Sequence, residues 1–496
     1  MDPALAFGPT SWQLLYATCA KLLNYPDKQP PAGSQLEPEV ARSLPKRSAD
    51  GKTYTFSIRT GFRFSPPSNE PVTAQTFRYA IERSLSPKLK GPGQGFLRDV
   101  VGAQAYMSGK APHVAGVIAR GNTLTIRLVA PAPDLITRIA LPFFCAVPLD
   151  TPIDPKGVRI VPSAGPYSVR SYVPGQGIVL ERNPSYTGSR PHHLERIELT
   201  VGVSTHKTLA QIEAGDADYA AGDVPAPDAP RLAARYGRES SAARKGEQQY
   251  FVNPVLGVNF LVLNTQRPLF RDARRRRGVN YAIDRRALAG INVIGGPGRP
   301  TDQYLPPGIP GFRDVHIYPF TPDVVRAKRL LAGGGRTAVL YTCNVPPCNQ
   351  LAQVVKTDLA AVGITVEARA LSFQSLFQRL ATRGEPFDLA VIGWAADYPD
   401  PADFLNYVLG SGGGGAIPPF RDPVYTPKLA AAARLSGPRR YLAYGKLDAE
   451  LARNAAPWAA YVNPTKNDFF SARMGCQVFH PIYGVDLAAL CIRGQK

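Results

Sequence analysis

The chain has 496 residues, 44% of them hydrophobic, with 49 Pro, 45 Gly and a formal charge of +20. That length carries two or three domains with real cores; no apolar run approaches a membrane span and no apolar segment follows Met1, so neither a transmembrane helix nor a signal peptide is visible, and the opening at Met1-Asp-Pro-Ala reads as if an upstream segment were missing. The 58 Lys and Arg are scattered apart from Arg274–Arg277, and no zinc finger, RNA-binding signature or basic-aromatic stripe accompanies them, so the charge reads as arginine bias and solubility and speaks against nucleic acid.

In chain order, the stretch Leu5 to Leu23 contains a helix with Ser11 as its N-cap and Trp12, Leu15, Leu22 and Leu23 on its apolar face. Tyr54 to Arg59 and Thr123 to Leu128 alternate as half-buried strands, and Thr73 caps a helix carrying Phe77, Ala80, Ile81 and Leu85. Strands follow at Tyr167 to Tyr172, Ile178 to Leu180 and Ile197 to Val201, then a short helix from Thr208 to Glu213. Gly257 to Thr265 is an apolar strand. The stretch from Phe270 to Ile291 reads as a helix whose Arg274–Arg277 run forms a solvated face.

After it the texture becomes βα alternation. Val354 to Val362 is a helix stopped by Gly363, Ile364 to Ala368 a strand, and Phe373 to Leu380 a helix. Leu389 to Ile392 is a strand buried on both faces, Arg439 to Asn454 a helix, and Trp458 to Val462 a returning strand. This rhythm predicts an α/β fold with a parallel sheet. Gly333–Gly335 and Gly412–Gly415 read as flexible surface loops, because neither follows a strand and opens a helix.

The stretch Phe387 to Phe404 concentrates the chemistry. Beyond its buried strand the chain presents Gly393, Trp394, Asp397 and Tyr398, then Asp400 and Asp403. Ligands of open α/β sheets sit beyond the carboxyl ends of the strands. Gly393 would admit a ligand's backbone, Trp394 would give a flat apolar wall, and Asp397 a fixed negative charge. The other reading, with Trp394 in the core and Asp397 capping the next helix, stays open. The chain holds no nucleophile elbow, Walker loop, His-Glu-x-x-His or dinucleotide fingerprint, which argues against an enzyme and against a cofactor.

Cys343 and Cys348 flank a loop that a disulfide would close, and Cys476 and Cys491 bracket the C-terminal segment as a second pair. Cys19 and Cys145 read as buried singletons. No Cys or His pair has zinc spacing, so no metal is expected, and two disulfides would place the chain outside the cytoplasm.

With these segments in order, the chain resembles the extracytoplasmic solute-binding proteins of peptide, dipeptide and nickel ABC importers, family 5. The resemblance rests on Met1 to Leu5, Asp50 to Phe56, Gly165-Pro-Tyr167, Arg182-Asn-Pro184, Val258 to Thr265, Val279 to Asp284 and Gly393 to Tyr398. It implies a periplasmic-binding-protein-like two-lobed clamp of the cluster C type with an extra small α+β subdomain. Residues 1–35, 145–256 and 458–496 would form lobe I, 36–144 its additional subdomain, and 257–457 the inserted lobe II.

It also implies a monomeric extracytoplasmic receptor, envelope-associated and lipidated, that closes about its hinge on a short peptide and docks on the ABC permease. Asp397 would pair with the peptide's ammonium, with Gly393, Trp394 and Tyr398 lining the ligand. Ser11, Trp12 and Gly165 would face it from the other lobe. The alternatives are a receptor for an amino acid derivative, an opine or a nickel chelate, or an enzyme or adhesion protein reusing the scaffold.

Overall fold

A computed structural model describes the chain apart from residues 31, 223, 292–295, 412–416 and 495–496; the Gly412–Gly415 loop lies outside the described residues. The chain divides into two compact units, Met1–Phe251 with Asp468–Lys496, and Val252–Asn467. It passes between them at Phe251–Val252 and again at Asn467–Asp468. Among the described residues no helix is long and apolar enough to cross a membrane.

The first unit opens with helix Pro9–Thr18, which starts before Ser11 and ends before Leu22 and Leu23. Gly8, not Ser11, stands at its N-cap, because Pro9 in the first helical position brings a preset φ and needs no N–H partner. A four-stranded antiparallel sheet follows in the order Lys46–Arg47, Thr53–Ser57, Thr123–Arg127, Val117–Arg120. Helix Ala74–Ser84 packs against it, started by Thr73 in a reciprocal capping box with Thr76, which satisfies two otherwise orphaned donors. Strands Tyr167–Val173, Gly177–Arg182 and Arg196–Thr200 form an antiparallel meander, and helix Thr205–Ala214 ends at Gly215 in the left-handed conformation. The C-terminal tail belongs to this unit, where Phe470, Met474, Phe479 and Leu487 join Leu14, Ala17, Tyr167 and Leu180 in one core.

The second unit is built on a mixed sheet rather than a purely parallel one. Its order runs Trp458–Phe469, Gly257–Leu263, Leu389–Ala395, Thr337–Cys343, Thr365–Leu371. Thr337–Cys343 is parallel to both Thr365–Leu371 and Leu389–Ala395, whereas Gly257–Leu263 runs antiparallel to its two neighbours. The parallel trio is the product of the βα rhythm, with helices Pro346–Ala361 and Phe373–Ala381 as crossovers. Leu261, Ala338, Leu340, Val355, Leu359, Val391 and Tyr461 fill the core.

The stretch from Phe270 to Ile291 is three pieces, Pro268–Arg271, Ala273–Ala282 and Arg285–Ala289, and only part of its arginine run is solvated, Arg274 being exposed and the next two not. Arg275 and Arg276 are buried. Arg275 donates to the carbonyls of Leu269 at 2.9 Å, Leu331 at 2.7 Å and Gly335 at 2.8 Å, and also to Gly333, so the Gly333–Gly335 loop is pinned by its carbonyls. Arg276 donates to Ala455 at 2.7 Å and to Phe270 and Arg271. Guanidinium forks here saturate carbonyls that the breaks between helices leave open.

All six cysteines are paired: Cys343–Cys348, Cys476–Cys491 and Cys19–Cys145. The last pair corrects the reading of Cys19 and Cys145 as singletons. The Ala146 amide donates to the Ala20 carbonyl at 2.9 Å, a pairing that sets the two cysteines side by side. Cys343 ends a strand and Cys348 sits in the first turn of the next helix, so that disulfide staples a crossover instead of closing a free loop. Its short loop predicts a modest effect: Cys343→Ser with Cys348→Ser will cost about 2 kcal/mol, read as the shift in urea midpoint at unchanged slope.

Candidate functional site

Thr337–Cys343 and Thr365–Leu371 end level with each other, and Leu389–Ala395, whose Ala390 pairs with Tyr341, runs on past them. Gly393 and Trp394 therefore lie at the carboxyl edge of the sheet, opposite Asn259 and Val258 of the antiparallel neighbour. Just beyond that edge the chain turns through Asp397, Tyr398 and Asp400 into helix Asp403–Gly410.

Three aspartates within seven residues take three different roles. Asp400 is a structural anchor. The buried Arg440 grips it with Nη2 at 2.7 Å and Nε at 3.1 Å, and its Oδ1 accepts the Ala402 amide at 2.8 Å. Asp403 is a local organiser, since its Oδ2 accepts the Trp394 indole N–H at 3.3 Å and the Asp397 amide at 3.0 Å. Asp397 is 5% exposed, and its Oδ2 has no hydrogen-bond partner among the described residues.

Burial pushes the Asp397 carboxyl well above the usual carboxylate range. Asp403 is raised too, first by burial and then by the neighbouring Asp397. The fixed negative charge expected at Asp397 is thus conditional. Two desolvated carboxyls side by side resist ionising until a cation arrives. Trp394 is 8% exposed; its indole both meets Asp403 and meets the Tyr407 ring edge-on at 6.1 Å. Tyr398 is buried beside them at 3%. Asp397 does not cap the following helix, because its side chain accepts no amide there.

The remaining residues singled out from the sequence lie in the first unit. Ser11 is half-buried within helix Pro9–Thr18. Trp12 is buried in an aromatic group with Phe7, Phe143 and Tyr483, and its indole donates to the Ala6 carbonyl at 3.1 Å. Gly165 packs on the end of the same helix. A Cβ there would stand 2.6 Å from the Thr18 and Cys19 carbonyls, so only glycine fits.

The roles of Asp403 and Arg440 carried no signal in the sequence, where they are one Asp among three and one Arg among many. A cavity of about 1520 Å³ in the first unit lies between strand Arg196–Thr200 and residues 216–222; none of the residues expected from the sequence to touch a ligand lines it. Among the described residues no group of three or more His, Cys, Asp or Glu is placed to hold a metal ion.

The sequence profile of the bacterial extracellular solute-binding proteins, family 5 Middle, matches residues 35–416. The Oligopeptide-binding protein OppA of Bacillus subtilis (strain 168) is 26% identical over 415 residues, spanning 78% of this chain and 73% of that protein. Heme-binding protein A of Haemophilus influenzae is 23% identical, spanning 98% of this chain and 90% of its own. The solved structure of Clavulanic acid biosynthesis oligopeptide binding protein 2 superposes with a TM-score of 0.88 at 24% identity, covering 99% of this chain and 93% of that one. At that identity the likeness shows the fold, an α/β periplasmic-binding-protein fold. The chain belongs to the family 5 bacterial extracellular solute-binding proteins, and is a binding component rather than an enzyme.

Proposed function

We propose that this chain is the extracytoplasmic receptor of an ABC importer that captures short peptides, with the ligand's α-ammonium held by Asp397. The two compact units act as its two lobes, and Gly393, Trp394 and Tyr398 line the ligand. Asp400 is committed to Arg440, and Asp403, though its Oδ1 is open too, holds Trp394 and the Asp397 amide through Oδ2. The observation that carries this reading is the buried Asp397 carboxyl, whose Oδ2 is left open with no donor held by its side chain among the described residues. A primary ammonium supplies both a charge and the N–H donors this oxygen lacks. The rest of a peptide is held through its main chain, as in strand addition, which reads little of the side-chain sequence and suits a receptor for many peptides. Signalling to the permease requires that the ligand bind the docking-competent conformation better than the others. Anchoring to the envelope by a lipidated upstream segment belongs to the same proposal.

Native mass spectrometry of the protein as purified, with release and sequencing of what it carries, tests this. A ladder of short peptides is expected. A single non-peptide mass would overturn the peptide reading and make the chain a dedicated receptor for another amine-bearing solute.

A further inference from the structure

We propose that the outer face of the four-stranded sheet in the first unit is a docking surface for a membrane bearing anionic phospholipid headgroups. Residues directly opposite in an antiparallel ladder share a face. Tyr54, Phe56, Leu124 and Ile126 are buried, on the side where helix Ala74–Ser84 packs. The other side presents Thr53 opposite Arg127, Thr55 opposite Thr125, and Ser57 opposite Thr123. The flanking strands add Lys46 beside Thr55, and Ile118 and Arg120 beside Thr125 and Thr123. The same parity continues past the strand end: Arg42 donates its amide to the Ser57 carbonyl, and Arg59 lies two residues after Ser57.

Arg42, Lys46, Arg59, Arg120 and Arg127 are all exposed, and none of the five is in an ion pair among the described residues. The carboxylates at the margin are committed elsewhere. Asp99 and Asp134 both hold Arg138, and Asp50 accepts from Ser48 and from the Lys52 amide within its own turn. Five free cations with no carboxylate among them, on one face of a sheet, fit an anionic plane. Part of the chain's positive charge is therefore gathered, not scattered.

Two further side chains favour a bilayer over an acidic protein. Leu44, two residues before Lys46, is 49% exposed, and Val129, two residues after Arg127, is 61% exposed. Large apolar side chains standing among cations match the boundary between headgroups and acyl chains. The threonine hydroxyls between them both donate and accept, which suits phosphate and glycerol oxygens. Held this way, the receptor would be concentrated at the surface where its permease resides, whether or not the chain carries an anchor of its own.

The test is sedimentation of the full chain with vesicles of phosphatidylcholine alone, or of phosphatidylcholine with a third of phosphatidylglycerol, at low and at physiological salt. Each cation near an anionic surface contributes about fivefold, so Lys46→Gln with Arg120→Gln and Arg127→Gln should weaken binding to the anionic vesicles about a hundredfold. Removing three exposed cations elsewhere, Lys328→Gln, Arg329→Gln and Arg434→Gln, should leave it within a few-fold, and salt should weaken it. Equal binding to neutral vesicles, or equal loss in both triple variants, overturns the proposal. So does an absence of vesicle binding at low salt; capture of polyglutamate under those conditions would assign the face to an acidic protein instead. Each triple variant should keep the parent's thermal midpoint and co-purifying ligand, so a failure here is distinguishable from a failure of the peptide-receptor reading.

Discussion

Asp397→Ala will weaken binding of a free-amino dipeptide or tripeptide by at least about a hundredfold, while an N-acetylated analogue of the same peptide loses less than about threefold. Removing one partner of a buried charge pair costs about 3–5 kcal/mol, and each 1.4 kcal/mol is about a factor of ten. Titration calorimetry with the matched peptides separates an ammonium anchor from a merely structural carboxyl. Equal losses for both would remove Asp397 from the role proposed for it.

The same carboxyl predicts proton release. In the empty protein burial raises the Asp397 and Asp403 carboxyls well above their ordinary values, so the folded chain retains protons that the unfolded chain gives up above about pH 4. By linkage, a raised carboxyl stabilises the fold below the unfolded value and forfeits that stability as pH rises toward the folded one. Binding an ammonium reverses the balance at Asp397 and expels its proton. Peptide affinity should therefore rise with pH across the acidic range, and calorimetry in two buffers of different ionisation enthalpy should show a proton released. With Asp397→Asn the release should vanish, and ligand-free stability should fall less steeply with pH. Unchanged proton release in that variant would contradict the assignment.

What the sequence could show is set by the range of the interaction. Alternation over five residues places Thr53–Ser57 and Thr123–Arg127, and a cap reaches only three residues, from Thr73 to Thr76. The apolar run at Leu389 and the turn-rich acidic loop after it are likewise local, and they mark where the chemistry is. What tells the three aspartates apart is not local. Arg440 stands 40 residues beyond Asp400, and without it Asp400 and Asp397 are equivalent candidates. Arg275 and Arg276 look solvated because the carbonyls they saturate come from segments up to 60 and 179 residues away. Cys19 and Cys145 are separated by 126 residues, so spacing offered nothing to pair them. The disposition of charge followed the same rule: a count cannot say that Arg42, Lys46, Arg59, Arg120 and Arg127 share one face, whereas strand register does.

Arg190→Ala will destabilise the first unit by about 3–5 kcal/mol at neutral pH, and by distinctly less near pH 4. Arg190 is buried, with Nη2 2.8 Å from Asp27 Oδ1 and Nη1 donating to the Tyr16 carbonyl at 2.5 Å; Asp486 and Glu39 stand at 3.8 and 3.9 Å. The Tyr16 ring lies against the guanidinium at 4.2 Å. Lys21, fully buried and lowered to about 7 by desolvation, lies over the Tyr16 and Tyr483 rings, and His480, lowered to about 3 by the same cause, stacks on Tyr483. His480 therefore brings no charge to this cluster at neutral pH.

Burial alone would raise Asp27, yet Arg190 holds it below the usual range, while Asp486, beside the same guanidinium, is raised by burial. A depressed carboxylate contributes stability above its unfolded value of about 3.9, and that contribution is lost as pH falls through its folded value. Without Arg190, burial prevails at Asp27, which must either stay charged and unpaired or take up a proton. The uptake costs about 1.4 kcal/mol for each pH unit above the unfolded value. The gap between parent and variant should therefore widen as pH rises from 4 to 7, measured by urea unfolding at each pH, with Arg190→Lys in between because it keeps the charge but loses the fork. A gap that stays constant across that range would mean that Arg190 acts through packing against Tyr16 and not as the counter-charge of the buried carboxylates.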